Sequence, residues 1–171
     1  MSKIICLRTI RIAERPNLIW VELETDDDLV GLGESFRGAQ ATESVLHEQV
    51  APWLIGRDAR RIEAVSRHLS TPYLGFHSAG AEIRAASAVD IALWDLAGKR
   101  PGLQLGLHAP AAIFQEVVRA TLATWYRDLV TDLPVIRNGM VQAPTQAGIG
   151  TSLHPGVQRR ADASVREFRA G

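Results

Sequence analysis

The hydrophobic residues of this chain change their period once, and that change most constrains what it can fold into. From Ile4 to Glu34 they fall in short runs rich in β-branched residues, and from Thr42 to Lys99 they recur at helical spacing. Strands gathered first and helices second point to an α+β fold. Ile4 to Ala13 reads as a first strand, closed by the turn composition Glu14-Arg15-Pro16-Asn17. Leu18 to Thr25 sets Trp20, Glu22 and Glu24 against Ile19, Val21 and Leu23, the alternation of a half-buried strand. Leu29 to Glu34 forms a third strand after the acidic turn Asp26-Asp27-Asp28. That turn lacks the glycine and distal glutamate of a calcium loop and reads as a solvated hairpin. With connections this short, a three-stranded antiparallel meander is the simplest topology.

The helical half divides at its breakers. Val45, Leu46, Val50, Trp53 and Leu54 share one side of a helix beginning at Thr42, with Pro52 limiting it and Gly56 stopping it. Asp58 can cap a second helix carrying Ile62, Val65 and Leu69. Residues 72–80 read as a loop. Ala81 to Lys99 is the strongest helix, and its apolar residues cover most of its circumference, which implies burial against more than one partner. Beyond Lys99, Leu103, Leu105 and Leu107 alternate, Asn138-Gly139 marks a hairpin, and Val165 to Phe168 reads as a final edge strand.

Composition narrows the function classes. Nineteen basic residues balance nineteen acidic ones, so no net field favours nucleic acid or an anionic membrane. The chain has 171 residues, enough for one well-packed core. One cysteine, Cys6, cannot form an intrachain disulfide, and no signal peptide or membrane span is visible; the expected location is cytoplasmic. Gly31-Leu32-Gly33 and Gly148-Ile149-Gly150 lack the strand-to-helix context of a phosphate loop. Asp90 and Asp95 lie five residues apart on one helix and read as cap or turn partners rather than metal ligands.

Three motifs in order carry a resemblance: Leu29-Val30-Gly31-Leu32-Gly33-Glu34, then Pro52-Trp53-Leu54-Ile55-Gly56-Arg57-Asp58, then Ser87 through Trp94-Asp95-Leu96-Ala97-Gly98-Lys99. Together they resemble the N-terminal capping domain of the mandelate racemase and muconate lactonizing branch of the enolase superfamily. His108-Ala109-Pro110-Ala111-Ala112-Ile113-Phe114-Gln115-Glu116 is similar to the last barrel strand of that family, and residues 133–151 to its C-terminal segment. Ala111 and Ala147 depart from the usual pattern. The resemblance implies a capping domain over residues 1–100, a barrel remnant over 101–120, and a C-terminal segment over 121–171 that packs back on the cap. Between Lys99 and His108 only eight residues remain, whereas a complete βα-barrel takes roughly 200 or more. The expected fold is therefore the α+β cap with its catalytic barrel missing.

In the family, a proton is removed beside a carboxylate, and magnesium, held by three carboxylates on successive barrel strands, stabilises the resulting enediolate. Those strands have no counterpart here, and the two lysines, Lys3 and Lys99, cannot make the family's Lys-x-Lys base. The expectation is no metal ligands and no magnesium bound. The resemblance gives Glu116 a contact with the substrate carboxylate, with a solvent-exposed glutamate as the alternative. His108 reads as structural. The cap loops Glu14 to Asn17 and Ser35 to Gln40 offer Arg15 and Arg37 to an acid-sugar carboxylate and Phe36 as a shield, or they are ordinary loop residues. Three functional readings stand together: an inactive barrel-deleted relative of acid-sugar dehydratases and racemases, an active dehydratase whose barrel is missing only from this sequence, and a binding module that docks on a full-length relative. The long helix once led toward the barrel, so its second apolar face is expected to be bare and to favour a homo-oligomer or a partner.

Overall fold

The computed structural model describes residues 1–70, 80–102, 121, 124–138, 140–142, 145–169 and 171. Three strands, β1 (Ile4–Ile12), β2 (Leu18–Thr25) and β3 (Val30–Phe36), form the antiparallel meander. A C-terminal strand, β6 (Ala163–Arg169), pairs antiparallel with the other edge of β1, from Cys6↔Arg169 to Ile12↔Ala163, so the sheet has four strands in the order β3-β2-β1-β6. The hairpin β4 (Val135–Arg137) and β5 (Met140–Gln142) forms a separate two-stranded sheet, with Asn138 at a φ of 50° in its turn.

The helices lie on one face of the large sheet. Ile19, Val21 and Leu23 of β2 point into this layer and meet Leu46, Leu54, Ala88, Val89, Leu93 and Leu96. Leu7 of β1 joins them, and so does Ile4, although alternation from Leu7 would send Ile4 to the opposite face. A register shift between Ile4 and Cys6 resolves this, because one extra residue reverses the side-chain phase. The second face is covered too. Ile10, Ile12, Leu18, Trp20 and Leu32 pack under Leu129, Leu153 and Val157 of the C-terminal segment. The half-buried reading of β2 is thereby corrected: Trp20 is fully buried, and Glu22 is nearly so, accepting from Arg8 at 2.6 Å and from Gln158 at 3.1 Å. The local alternation of β2 carries no trace of a covering segment more than a hundred residues away.

Helix α4 (Ala81–Lys99) sits closest to the sheet, and two glycines permit it. A Cβ on Gly33 would lie 1.9 Å from the Ala88 carbonyl oxygen, and one on Gly31 would lie 2.2 Å from that of Ala92. The Gly31-Leu32-Gly33 pair is thus a groove for a helix backbone. At the C-terminal end of α4, Asp95 is fully buried and accepts three hydrogen bonds. Its Oδ2 takes Leu32 N–H at 2.8 Å and Lys99 Nζ at 2.7 Å, and its Oδ1 takes Ile149 N–H at 2.8 Å. Lys99 also donates to the Val30 carbonyl at 2.8 Å. β3 is an edge strand, and these two side chains satisfy groups on its open side.

Other sequence expectations shift in detail. The first helix, α1 (Ala39–Val45), begins three residues before Thr42 and continues through a π-helical turn (Leu46–Val50) into α2 (Ala51–Leu54). The turn is wide because Ala51 N–H bonds the carbonyl of Leu46, five residues back, one residue before Pro52 removes a donor. Asp58 does not cap α3 (Ile62–Ser70) with its side chain. Its carboxylate accepts from the Arg60 guanidinium at 2.7 Å and from Ser2 N–H at 3.2 Å, tying the start of β1 to this turn. Ser66 of α3 donates to Asp90 of α4, so Asp90 is a helix–helix tie. Leu103, Leu105, Leu107, His108 and Glu116 lie outside the described residues.

Removing the Asp95 carboxylate leaves the buried Leu32 amide and the part-buried Ile149 amide without their acceptor and Lys99 without its counter-ion. Asp95→Ala is expected to lower the unfolding free energy by about 3–5 kcal/mol, measured by urea denaturation.

Candidate functional site

Both loops singled out from the sequence lie at one end of the sheet. The β1–β2 turn is closed by Leu18 N–H on the Arg15 carbonyl at 3.0 Å. β3 runs on to Phe36, two residues further than its apolar pattern implies, so the second loop shrinks to Arg37 and Gly38 before α1 begins. Leu18 pairs with Phe36, and Arg37 N–H donates to the Asn17 carbonyl at 2.8 Å, joining the loops. Arg37 is held at a φ of 72°, a left-handed conformation that costs a non-glycine residue about 1 kcal/mol or more. Phe36 is 57% exposed, and its carbonyl accepts from Arg84 of α4 at 3.1 Å. Arg15 bridges to Glu14 at 3.0 Å and places its guanidinium 4.3 Å over the Trp125 ring. Its charge is therefore partly engaged and its orientation is fixed. The structure brings Arg15, Phe36 and Arg37 to one end of the fold, while Glu116 lies outside the described residues.

Below Arg15 is a cluster that sequence reasoning missed. Glu34 projects from β3 to the face covered by the C-terminal segment. Its Oε2 accepts Trp20 Nε1–H at 2.7 Å and the Tyr126 hydroxyl. Trp125 meets Tyr126 edge-on, with ring centroids 5.7 Å apart. Burial pushes the Glu34 carboxyl above its ordinary range, although the two hydrogen bonds pull the other way. Burial also raises the Tyr126 phenol, and the Glu34 charge adds to the effect. Paired titratable groups displaced in this way are a mark of functional sites, and also of well-built structural networks. Glu34 ends the Leu-Gly-Glu motif, but its partner comes 92 positions later, at a spacing no local pattern reveals.

A second buried polar group lies under the helices. Thr9 Oγ1 donates to Glu43 Oε1 at 2.9 Å and lies 2.9 Å from His47 Nε2, and Arg11 donates to Glu43 Oε2 at 2.9 Å. Burial holds the His47 imidazole below its ordinary pKa, in its neutral form. Burial likewise raises the Cys6 thiol, so Cys6 is a protonated core residue.

The chemistry of the family calls for magnesium, and the described residues do not fit it. Among them no three His, Cys, Asp or Glu side chains converge to hold a metal ion. The buried carboxylates are already engaged: Asp95 by three donors, Glu43 by Thr9 and Arg11, Glu22 by Arg8 and Gln158, and Glu34 by Trp20 and Tyr126. Among the described residues no helix is long and apolar enough to cross a membrane.

The model for the family described as "Mandelate racemase / muconate lactonizing enzyme, N-terminal domain" matches residues 7–106. A D-mannonate dehydratase of Rhizorhabdus wittichii is 37% identical over 107 residues, which cover 60% of this chain and 26% of that enzyme. A D-galactarolactone cycloisomerase of Agrobacterium fabrum is 35% identical over 89 residues. The chain thus spans about a quarter of the length of such curated relatives, which are acid-sugar dehydratases and cycloisomerases. Solved structures give a second kind of match. An enolase protein from environmental sequencing of the Sargasso Sea is 29% identical with a TM-score of 0.91, covering 100% of both chains. An enolase of the mandelate racemase subgroup from Agrobacterium tumefaciens, 23% identical with a TM-score of 0.89, shares the fold over 98% of this chain and 99% of its own. An enolase from Pantoea ananatis, solved with D-gluconate and magnesium, is 33% identical with a TM-score of 0.55, over 61% of this chain and 26% of its own.

The direction of the Glu34 shift fixes a pH dependence. A folded-state pKa above the ordinary 4.5 means that the carboxyl's contribution is complete below that pH and is lost as pH rises through the folded value. Glu34→Gln keeps an acceptor for Trp20 and Tyr126 and cannot ionise. Its stability relative to the parent is expected to rise as pH increases from about 4 through the folded pKa of Glu34 and then to level off, read by urea unfolding of both proteins at each pH.

Proposed function

This chain belongs to the mandelate racemase / muconate lactonizing enzyme family, and from that premise we propose that it is a capping domain working without a barrel, a non-catalytic relative of acid-sugar dehydratases and racemases. The observation that carries this reading is the end-to-end match to the Sargasso Sea enolase protein, which covers both chains completely. The short architecture recurs in a separate protein, which favours it over a full-length dehydratase that has lost its barrel only from this sequence. The engaged state of the buried carboxylates supports the same reading.

In this proposal residues 1–100 are the cap, 101–120 the remnant of the last barrel strand, and 121–171 a segment returning to the cap. That segment covers the second face of the meander through Leu129, Leu153 and Val157. Arg15 and Arg37 are the residues to meet an acid-sugar carboxylate, with Phe36 shielding it, and Glu116 keeps at most a binding role. Association is part of the reading. Ile83 and Ile91, two turns apart on α4, remain 36% and 40% exposed and favour contact with a second copy or with a full-length relative. A reducing, cytoplasmic setting fits the single buried thiol of Cys6.

The test is direct. The purified chain, given D-mannonate or D-gluconate with magnesium chloride, is expected to form no dehydrated keto acid and to show no stoichiometric magnesium uptake by calorimetry. Turnover accompanied by one-to-one magnesium binding would overturn the proposal.

A further inference from the structure

A cleft of about 560 Å³ opens between α3 and α4, away from the loop end of the sheet. Arg60, Arg61 and Arg67 line it together with Ile62, Glu63 and Trp94. It is an open, shallow groove, so a ligand would lie along its wall rather than be enclosed. Of the three guanidinium groups, the Arg60 charge is balanced by Asp58 and the lining also holds Glu63, so the charge open to a ligand is that of Arg61. Arg60 is pre-oriented, because Asp58 grips it through Nε at 3.0 Å and through the terminal nitrogen at 2.7 Å. Arg61 forms no ion pair among the described residues, so its charge is available to a ligand. The walls are held together by the Ser66–Asp90 hydrogen bond, one turn along both helices from the cleft.

Trp94 supplies the other half of the chemistry. It is 49% exposed on α4, whereas Trp20 is fully buried and Trp53 and Trp125 each carry an arginine over the ring. Among the described residues no arginine covers the ring of Trp94. A large flat apolar surface beside the Arg61 guanidinium matches a ligand with a planar body and an anionic end. We propose that this cleft binds a small planar anion, an aromatic ring bearing a carboxylate or phosphate, with the ring against Trp94 and the anion on Arg61. An acid sugar lacks the flat face, so this site differs in ligand class from the loop end and does not rest on the function proposed there.

The test uses the intact chain labelled with nitrogen-15, titrated with 2-naphthoate and with phenyl phosphate. 2-Naphthylmethanol serves as the neutral control, and D-gluconate as the anion without a ring. The Trp94 indole resonance is identified by its loss in Trp94→Leu. Saturable shifts of that indole with 2-naphthoate or phenyl phosphate are expected, with affinity at least about tenfold weaker for both controls and for Arg61→Gln. Arg61 is exposed, and an otherwise unchanged spectrum of Arg61→Gln shows that it folds. The proposal is overturned if the shifts do not saturate, if the neutral alcohol or gluconate binds as well as the aromatic anions, or if Arg61→Gln binds them like the parent.

Discussion

The buried carboxylate of Asp95 is where three parts of the molecule meet. It belongs to α4, it bonds the outer amide of the edge strand β3, and it bonds Ile149 from the C-terminal segment, with Lys99 balancing its charge at 2.7 Å. A fully buried ion is tolerated only when its charge is paired and its lone pairs are taken, and here both conditions hold. The geometry also dictates the residues around it. Gly148 approaches with a φ of 75°, and a Cβ there would lie 1.9 Å from Asp95 Oδ1. The glycine before Ile149 thus serves the carboxylate by conformation and by lack of bulk.

Close approach is the second constraint. α4 lies against the backbone of β3 through Gly31 and Gly33, so its other residues reach Val21 and Leu23 of β2 in one continuous core. The opposite face of the sheet would otherwise expose Ile10, Ile12, Trp20 and Leu32. The C-terminal segment covers it and then returns as β6 on the free edge of β1, so both faces and one edge of the meander are satisfied within the chain. Beside this core stand a pair of loops held at one end of the sheet and a groove between two helices at another place.

Much of this was readable from the residues. The extents of β1 and β2, the 19-residue helix ending at Lys99, the hairpin turning at Asn138 and the final edge strand all stand near their expected bounds, because each is governed by local period and turn chemistry. The family was legible in the Trp94-Asp95-Leu96-Ala97-Gly98-Lys99 run. The long-range partnerships were not. Asp95 was read as a cap or turn partner, whereas its three donors lie 4, 54 and 63 positions away. Glu34 was seen only as the end of a glycine motif, since nothing near it announces Tyr126. Asp58 stood where a helix cap is expected, yet the Arg60 guanidinium and the Ser2 amide take its carboxylate.

Native-state hydrogen exchange tests most directly whether Asp95 joins these parts into one cooperative unit. The account predicts that the amides of Leu32 and Ile149 exchange only through global unfolding, with equal free energies that match the denaturant value. An Ile149 amide that exchanges through a local, denaturant-independent opening while Leu32 stays protected would contradict it, because the C-terminal segment would then lift away without disturbing the helix and the edge strand.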